Sequence, residues 1–196
     1  MLYLSEMKRL LTILILIFTL QTPSWADDIR DFQIEGMSIG DSLLDFISKD
    51  KIENEFEIVI YKKPEKNKYK RIYIENVTFE NFDYISIDVK YNDSKYIIHG
   101  VTGMDDDSDL KKCFKKQNEI IKDLSSIFTQ KPDKYILSDK DDETGQSKRH
   151  YAVYYLDGGD VSVICYEFAK HMNIRNGLDL SIRSKEFQDW LRKDLP

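Results

Sequence analysis

The chain has 196 residues, with 29 basic and 35 acidic side chains and a formal net charge of −6. That balance argues against a nucleic-acid-binding protein, which needs positive potential facing the phosphates. With 12 Tyr and 10 Phe but only 8 Gly and 4 Pro, the composition also excludes a disordered or fibrous chain and predicts a compact domain.

The first 26 residues have the pattern of a secretion signal. Lys8 and Arg9 supply a positive start, residues 10–20 form an apolar run, and Ser24-Trp25-Ala26 is a small-x-small cleavage site. The run is shorter than the roughly 20 apolar residues that span a bilayer. We therefore predict cleavage after Ala26 and a protein that is not an integral membrane protein after cleavage.

The mature chain, residues 27–196, is predicted to be one α+β domain in the periplasm or secreted. Met7 is an alternative initiator to Met1, because the first six residues add nothing that a signal needs. Removal of Lys8, Arg9 and Glu6 with the signal changes the formal charge from −6 to −7. No Pro- or Ser-rich linker divides the remaining residues.

The elements that follow are predicted from hydrophobic periodicity and turn residues. The first is a short helix over residues 41–48. Hairpins then join antiparallel strands, because parallel strands would need long crossovers. The predicted fold is α+β, an antiparallel sheet built from hairpins with helices packed on one face. In chain order, the later elements are strands 56–61, 69–74, 82–91 and 96–102, a helix 109–128, an acidic loop 138–148, strands 150–156, 161–168 and 178–182, and a closing helix from Ser184.

Two turns set the predicted register of the hairpins. Gly158-Gly159 at the tip of one hairpin would place Ala152 opposite Cys165. A turn at Asp93-Ser94 in the other would place His99 opposite Asp88, as a cross-strand pair sensitive to mild acid.

The two cysteines, Cys113 and Cys165, are predicted to form a disulfide, since an even pair in an oxidising compartment is typical of one. Cys113 falls on the apolar stripe of the 109–128 helix, and Cys165 lies on the same strand face as Val161 and Val163. A bridge closing this loop would stabilise the fold by ~4 kcal/mol. The alternative is two separate buried thiols.

The segment Gly40-Asp41-Ser42-Leu43 resembles the nucleophile block of the GDSL esterase/lipase family. The resemblance implies that Ser42 attacks an ester carbonyl, with a His base and a carboxylate to orient it. The family's Asp-x-x-His block is absent before each of the three histidines, as is its Gly-x-Asn-Asp block. The alternative role of Asp41 and Ser42 is to cap a helix.

Lysine-rich residues near the 56–61/69–74 hairpin form the basic patch of the sequence. Outside the cytoplasm, its candidate partners are lipid head groups, acidic glycans or acidic protein surfaces. The alternative is a solvated loop whose lysines discourage edge pairing. The candidate anion-binding residues are Lys62, Lys63, Lys66, Lys68, Lys70 and Arg71.

No metal site or cofactor is predicted. The acidic runs 105–109 and 139–143 lack the Gly and Glu that a calcium loop needs at its sixth and twelfth positions, which leaves only weak surface binding of a divalent ion. His99, His150 and His171 lack the spacing that places two ligands on one helix face. A P-loop, a dinucleotide fingerprint and a CxxC pair are also missing from the sequence.

The text from Phe32 to Phe46, which includes Ile-x-Gly-Met-Ser-Ile-Gly-Asp-Ser-Leu-Leu-Asp, resembles the opening of a family of small, exported, uncharacterised bacterial proteins. The resemblance implies export and a shared fold, and it implies no activity. The Gly36-Met37 start is also similar to that of small outer-membrane assembly lipoproteins, whose lipidated Cys this chain lacks. The leading hypothesis is a non-enzymatic binding or envelope-accessory domain for an envelope protein, glycan or lipid head group; the alternative is the Ser42 esterase.

Overall fold

The structure is a computed structural model that describes residues 28–61, 68–106 and 109–193. The predicted signal at residues 1–26 lies outside the described residues, as do Lys62, Lys63 and Lys66 of the predicted anion site.

Eight antiparallel strands form one sheet, in the spatial order β1-β2-β3-β4-β8-β7-β6-β5. The α+β class and the antiparallel sheet are therefore confirmed. The last strand lies in the middle of the sheet, between two groups of strands that each run up and down. The strands are β1 (Glu57–Ile60), β2 (Tyr69–Ile74), β3 (Tyr84–Lys90), β4 (Ile98–Asp106), β5 (Asp133–Ser138), β6 (Lys148–Leu156), β7 (Gly159–Glu167) and β8 (Gly177–Ser184).

Three α-helices occur in the described part of the chain: α1 (Lys49–Glu55), α2 (Leu110–Ile127) and α3 (Lys185–Arg192). Each follows a polar residue whose side chain accepts a hydrogen bond from a first-turn N–H. The caps are Ser48, Asp109 and Ser184. The helix predicted over residues 109–128 and the closing helix after Ser184 are both present.

The short helix predicted over residues 41–48 is wrong in kind and position. Residues Leu43–Asp45 form one turn of 3₁₀ helix, and α1 begins only after Ser48. Leu43 is buried while Leu44 and Phe46 are exposed, so this segment places one apolar side chain in the core rather than a helical stripe.

The main core lies between the apolar face of the sheet and α2. Val161, Val163 and Cys165 alternate along β7 and are all buried, as the sequence predicted. Helix α2 covers them, and the structure places Cys113 and Cys165 at disulfide distance, with their Cα atoms 6.0 Å apart. The buried Gln117 was not expected. Its amide donates to the carbonyls of His150 and Val163, which ties α2 to β6 and β7.

Helix α3 packs on the opposite face of the sheet. Its Phe187 and Trp190 contact Tyr69, with ring centroids 4.8 and 4.9 Å apart. A Cβ added at Gly100 would lie 2.7 Å from Asp88 Oδ2 and 3.2 Å from Phe187 Cε1, so α3 shares the face of Asp88. The helices are thus divided between the two faces, whereas the sequence predicted them on one.

The hairpin of β6 and β7 is present, but its tip lies one residue earlier than predicted, so the pairing register differs by two residues. Leu156 pairs with Gly159, so the tip is Asp157-Gly158, and Cys165 pairs with His150 rather than with Ala152. Gly158 has φ +80°, and a Cβ at Gly159 would lie only 2.0 Å from the Arg183 carbonyl oxygen. Gly159 is needed for this close approach to β8 and therefore belongs to the strand.

Strand β5 was not predicted. All six of its residues are exposed, and it pairs on one side only, with β6. A strand in this position has no buried face to impose an alternating pattern on its sequence.

Candidate functional site

The face of the sheet opposite α2 is unusually polar, and we call it the polar face. Strand alternation brings Ser86, Thr102, Ser181 and Ser162 into one row across β3, β4, β8 and β7. All four are buried, and the hydroxyls of Thr102 and Ser181 are 2.9 Å apart. Small hydroxyl residues in the centre leave room for longer charged and aromatic side chains from the flanking rows.

The first of these charged groups is the Arg71–Asp88 ion pair. Arg71 donates two hydrogen bonds of 2.9 Å to the fully buried Asp88, which also accepts from Tyr61 Oη at 2.8 Å. Burial alone would lower the pKa of Arg71, but the Asp88 carboxylate outweighs it and holds that pKa well above its ordinary value. Arg71 therefore stays charged beside Asp88.

A second ion pair stands beside it on the neighbouring strands. Arg183 donates to both carboxylate oxygens of Asp160, at 3.1 and 2.9 Å, and to Ser162 Oγ at 2.9 Å. Asp160 is 1 % exposed. Burial would lower the pKa of Arg183, but the Asp160 charge raises it overall.

Asp179 is a carboxyl group of the polar face whose pKa is shifted toward the neutral form. It accepts a hydrogen bond of 2.9 Å from Tyr166 Oη. Burial raises the pKa of Asp179 to about 6, although this hydrogen bond and the charges of Arg71 and Arg149 act in the opposite direction. The carboxyl group thus changes charge at mildly acidic pH.

A cleft of about 530 Å³ opens on the polar face between β5, β6 and the last turn of α3. Its cations are Lys140, Arg149, Arg183 and Arg192, against the single lining carboxylate of Asp160 among the described residues. The volume lies within the range of sites for small molecules, roughly 300–1,000 Å³. We call this feature the arginine cleft.

One wall of the arginine cleft is aromatic and apolar. The rings of Tyr135 and Tyr151 stack with centroids 4.8 Å apart and planes 14° apart. Leu137 and Leu191 also line the cleft. Arg192 lies over the ring of Tyr155 at 5.2 Å and donates to its hydroxyl at 3.2 Å.

Gln188 of α3 lines the same cleft and is 7 % exposed. Its Nε2 is buried without a hydrogen-bond partner. An unpaired buried amide costs about 1–3 kcal/mol, so such groups are rare in native structures and call for an explanation. A ligand in the cleft would supply one.

The basic patch predicted from the sequence does not come together among its described members. Lys68 pairs with Glu186 at 3.0 Å, Lys70 lies over the ring of Tyr96 at 4.4 Å, and the partly buried Arg71 pairs with Asp88. Lys70 and Arg71 point to opposite faces because consecutive strand residues alternate.

Ser42 is occupied as a structural residue. Its Oγ accepts from the N–H of Leu44 and donates to the Lys95 carbonyl at 2.7 Å. The three histidines bond elsewhere: His99 to Ser184, His150 to Glu167 and His171 to Asp142. The described residues therefore do not bring a histidine base to Ser42.

The predicted His99–Asp88 pair is wrong. Asp88 pairs with Gly100 across the strands, and the register shifts between Asp88 and Val89. This irregularity turns His99 toward Tyr69 and Ser184, while Asp88 bonds to Arg71. Burial lowers the pKa of His99, and Lys90 adds to this effect.

The acidic runs have local partners. Asp105 pairs with Lys116, and Asp139 accepts from Arg149 at 2.7 Å. Asp142 accepts from the N–H groups of Thr144 and Ser147. Within the described ranges, no group of three or more His, Cys, Asp or Glu residues could hold a metal ion.

No protein-family model, curated protein or solved structure matches this chain. In the part of the chain that the structure describes, none of the helices has the length and apolar character needed to cross a membrane.

The residues of the arginine cleft were not singled out in the sequence. A signal was nevertheless present, because Arg149, Tyr151 and Tyr155 share one face of β6 with Val153, opposite the face of Ala152. An alternation of large polar and aromatic residues indicates a second, functional face. Gln188 and Arg192 reach this face only because α3 packs on it, and the spacing of residues along the sequence does not predict that packing.

Proposed function

We propose that this protein is an exported, non-enzymatic binding domain that takes a small anionic ligand in the arginine cleft. The observation that carries the proposal is the buried, unpartnered Nε2 of Gln188 beside Arg149, Arg183 and Arg192. A preformed concave site with a few converging polar groups on an apolar wall is the usual form of a ligand site.

The electrostatics of the cleft favour an anion. Asp160 neutralises Arg183 and Asp139 neutralises Arg149, whereas the partner of Arg192 is the neutral hydroxyl of Tyr155. Lys140 adds a further exposed positive charge. The cleft is thus cationic on a chain that is acidic as a whole, which attracts anions to this place.

Export is supported by the secretion-signal pattern of residues 1–26 and by the cysteine pair at disulfide distance. In that compartment the candidate anions include acidic glycans and lipid head groups, which agrees with the role of a binding or envelope-accessory domain.

Titration with sodium benzoate, a ring-bearing monoanion, tests the proposal. At constant ionic strength we expect NMR shift changes at Gln188 and at the arginines of the cleft. Arg192→Gln should weaken binding about tenfold, since hydrogen bonds to charged groups contribute roughly 1.5–3 kcal/mol.

Lys115→Gln is the matched control, because it removes the same charge from an exposed position on α2. Shift changes scattered over the surface, or equal affinity in the Arg192→Gln and Lys115→Gln variants, would contradict the proposed function.

A further inference from the structure

The arginine cleft combines three kinds of contact that few ligands need at once. It offers guanidinium groups, a flat aromatic wall formed by Tyr135 and Tyr151, and the amide of Gln188. Each of these restricts the chemistry of the ligand.

The guanidinium groups select a planar or tetrahedral oxyanion. Arginine binds carboxylate and phosphate through two parallel hydrogen bonds, and this geometry gives specificity as well as energy. Arg192 is the exposed member at the end of α3, and its bond to Tyr155 holds the guanidinium beside the cleft.

The tyrosine wall selects a ring. The stacked pair Tyr135–Tyr151 presents a flat surface next to Leu137, which is 51 % exposed. Tyrosine supplies a rigid, amphipathic contact area and is for this reason frequent where one side of a ligand is apolar and the other polar. A pyranose ring has both sides, because its C–H face is apolar and its hydroxyl groups are polar.

The amide of Gln188 selects a polar group on that ring. Its Nε2 lacks an acceptor, and because the O and N of an amide can exchange by a flip, either end can be satisfied by a hydroxyl. A hydroxyl both donates and accepts, whereas the ring of an aromatic acid offers neither. The cleft volume of about 530 Å³ accommodates one or two sugar rings.

We propose that the ligand of the arginine cleft is a carboxylate-bearing sugar, such as a hexuronic acid unit of an acidic glycan. The carboxylate is bound at Arg192 and its neighbouring arginines, the ring packs on Tyr135 and Tyr151, and a hydroxyl bonds to Gln188. This inference rests on the proposed function, because it names the class of anion that the same cleft takes.

Calorimetric titration of the whole mature protein with four probes tests the assignment. Methyl β-glucuronide and methyl β-glucoside differ only in the carboxylate, so we expect the glucoside to bind at least about tenfold more weakly. Benzoate has the charge and a ring without hydroxyls, and inorganic phosphate has the charge alone. Both are expected to bind more weakly than the glucuronide.

Two variants separate the contacts. Arg192→Gln should weaken binding of the glucuronide about tenfold and leave binding of the glucoside unchanged. Gln188→Leu removes an amide whose Nε2 has no partner in the free protein, so we expect the fold to be kept, glucuronide binding to weaken and benzoate binding to stay unchanged. Lys115→Gln should change none of these affinities.

The outcomes distinguish the inference from the proposed function. Equal binding of glucuronide and glucoside, or of glucuronide and benzoate, would overturn the sugar-acid assignment. Equal binding of glucuronide and phosphate would overturn it in favour of a general oxyanion or head-group site. In the case of a head-group site, the protein would sediment together with vesicles that contain anionic lipid. If Arg192→Gln changed the affinity for none of the anions, the proposed function itself would be contradicted.

Discussion

The half-buried acid Asp179 makes the stability of this protein depend on pH in the direction opposite to that of most carboxylates. Its pKa is about 6 in the folded chain, above the usual value near 4 in an unfolded one. Between these values the folded state holds a proton that the unfolded state has lost, so this group makes the free energy of unfolding decrease as the pH rises from 4 to 6.

We therefore expect Asp179→Asn to stabilise the protein above pH 6 and to have little effect at pH 4. The difference should reach about 1–2 kcal/mol, less than the full shift implies because the side chain is partly exposed. The asparagine keeps an acceptor for Tyr166, so the hydrogen bond is preserved. Urea unfolding of both proteins from pH 4 to 7 measures this difference in the free energy of unfolding. A difference that stays constant across that range would contradict the raised pKa of Asp179.

The Arg71–Asp88 pair predicts a large loss from a single substitution. Asp88→Asn should lower the free energy of unfolding by about 2–4 kcal/mol, because it removes the counter-charge from the partly buried guanidinium of Arg71. Adding Arg71→Met should recover part of that loss. Breaking the exposed Lys115–Glu119 pair with Lys115→Ala should cost less than about 0.5 kcal/mol. If Asp88→Asn lowered the free energy of unfolding no more than this control, the described Arg71–Asp88 ion pair would be contradicted.

At the scale of elements, α2 is the one whose place was most predictable. Its apolar stripe and Asp109 cap defined its limits within one residue, and Cys113 identified the strand that it covers. Helix α3 was predicted as a helix, but the sheet face that it covers was not. Its apolar residues Phe187 and Trp190 indicate that the helix packs on the sheet without indicating on which face. Strand β5 was missed because an exposed edge strand carries no burial pattern.

The disulfide between α2 and β7 should account for a large part of the stability. Cys113→Ala with Cys165→Ala is expected to lower the free energy of unfolding by about 4 kcal/mol, because it frees a 52-residue loop in the unfolded chain. Dithiothreitol should cause a similar loss in the wild type and none in the double variant. If both thiols reacted with a labelling reagent before any reduction, the bridge would be absent from the protein in solution.

At the scale of the whole molecule, the sheet serves two purposes with its two faces. The apolar face follows from hydrophobic alternation and could be predicted. The polar face could not, because its pairs join residues far apart in sequence, such as Arg71 with Asp88 and Asp160 with Arg183. The sequence set no register for the strand pairs that hold these partners, since the first ion pair joins β2 to β3 and the second joins β7 to β8.

The N-terminal segment connects the predicted processing to the fold. Ile29 is 1 % exposed and donates its N–H to the Asp157 carbonyl at 3.2 Å, so it completes the tip of the β6–β7 hairpin. Cleavage after Ala26 would leave this contact intact, whereas cleavage a few residues later would remove it. Ile29→Ala should therefore cost about 2–4 kcal/mol of unfolding free energy, as deletion of a buried Ile side chain usually does.

We expect the whole chain, expressed in a bacterium with an outer membrane, to yield a protein that begins at Asp27. Its intact mass should fall short of the thiol form by two hydrogens, which reduction restores, because the oxidising compartment forms the Cys113–Cys165 bridge. Leu14→Arg with Leu16→Arg breaks the apolar run and is the control, which should retain residues 1–26 and both thiols. A mature protein that began after Ile29 and still unfolded with the same midpoint would contradict both the cleavage site and the role of Ile29.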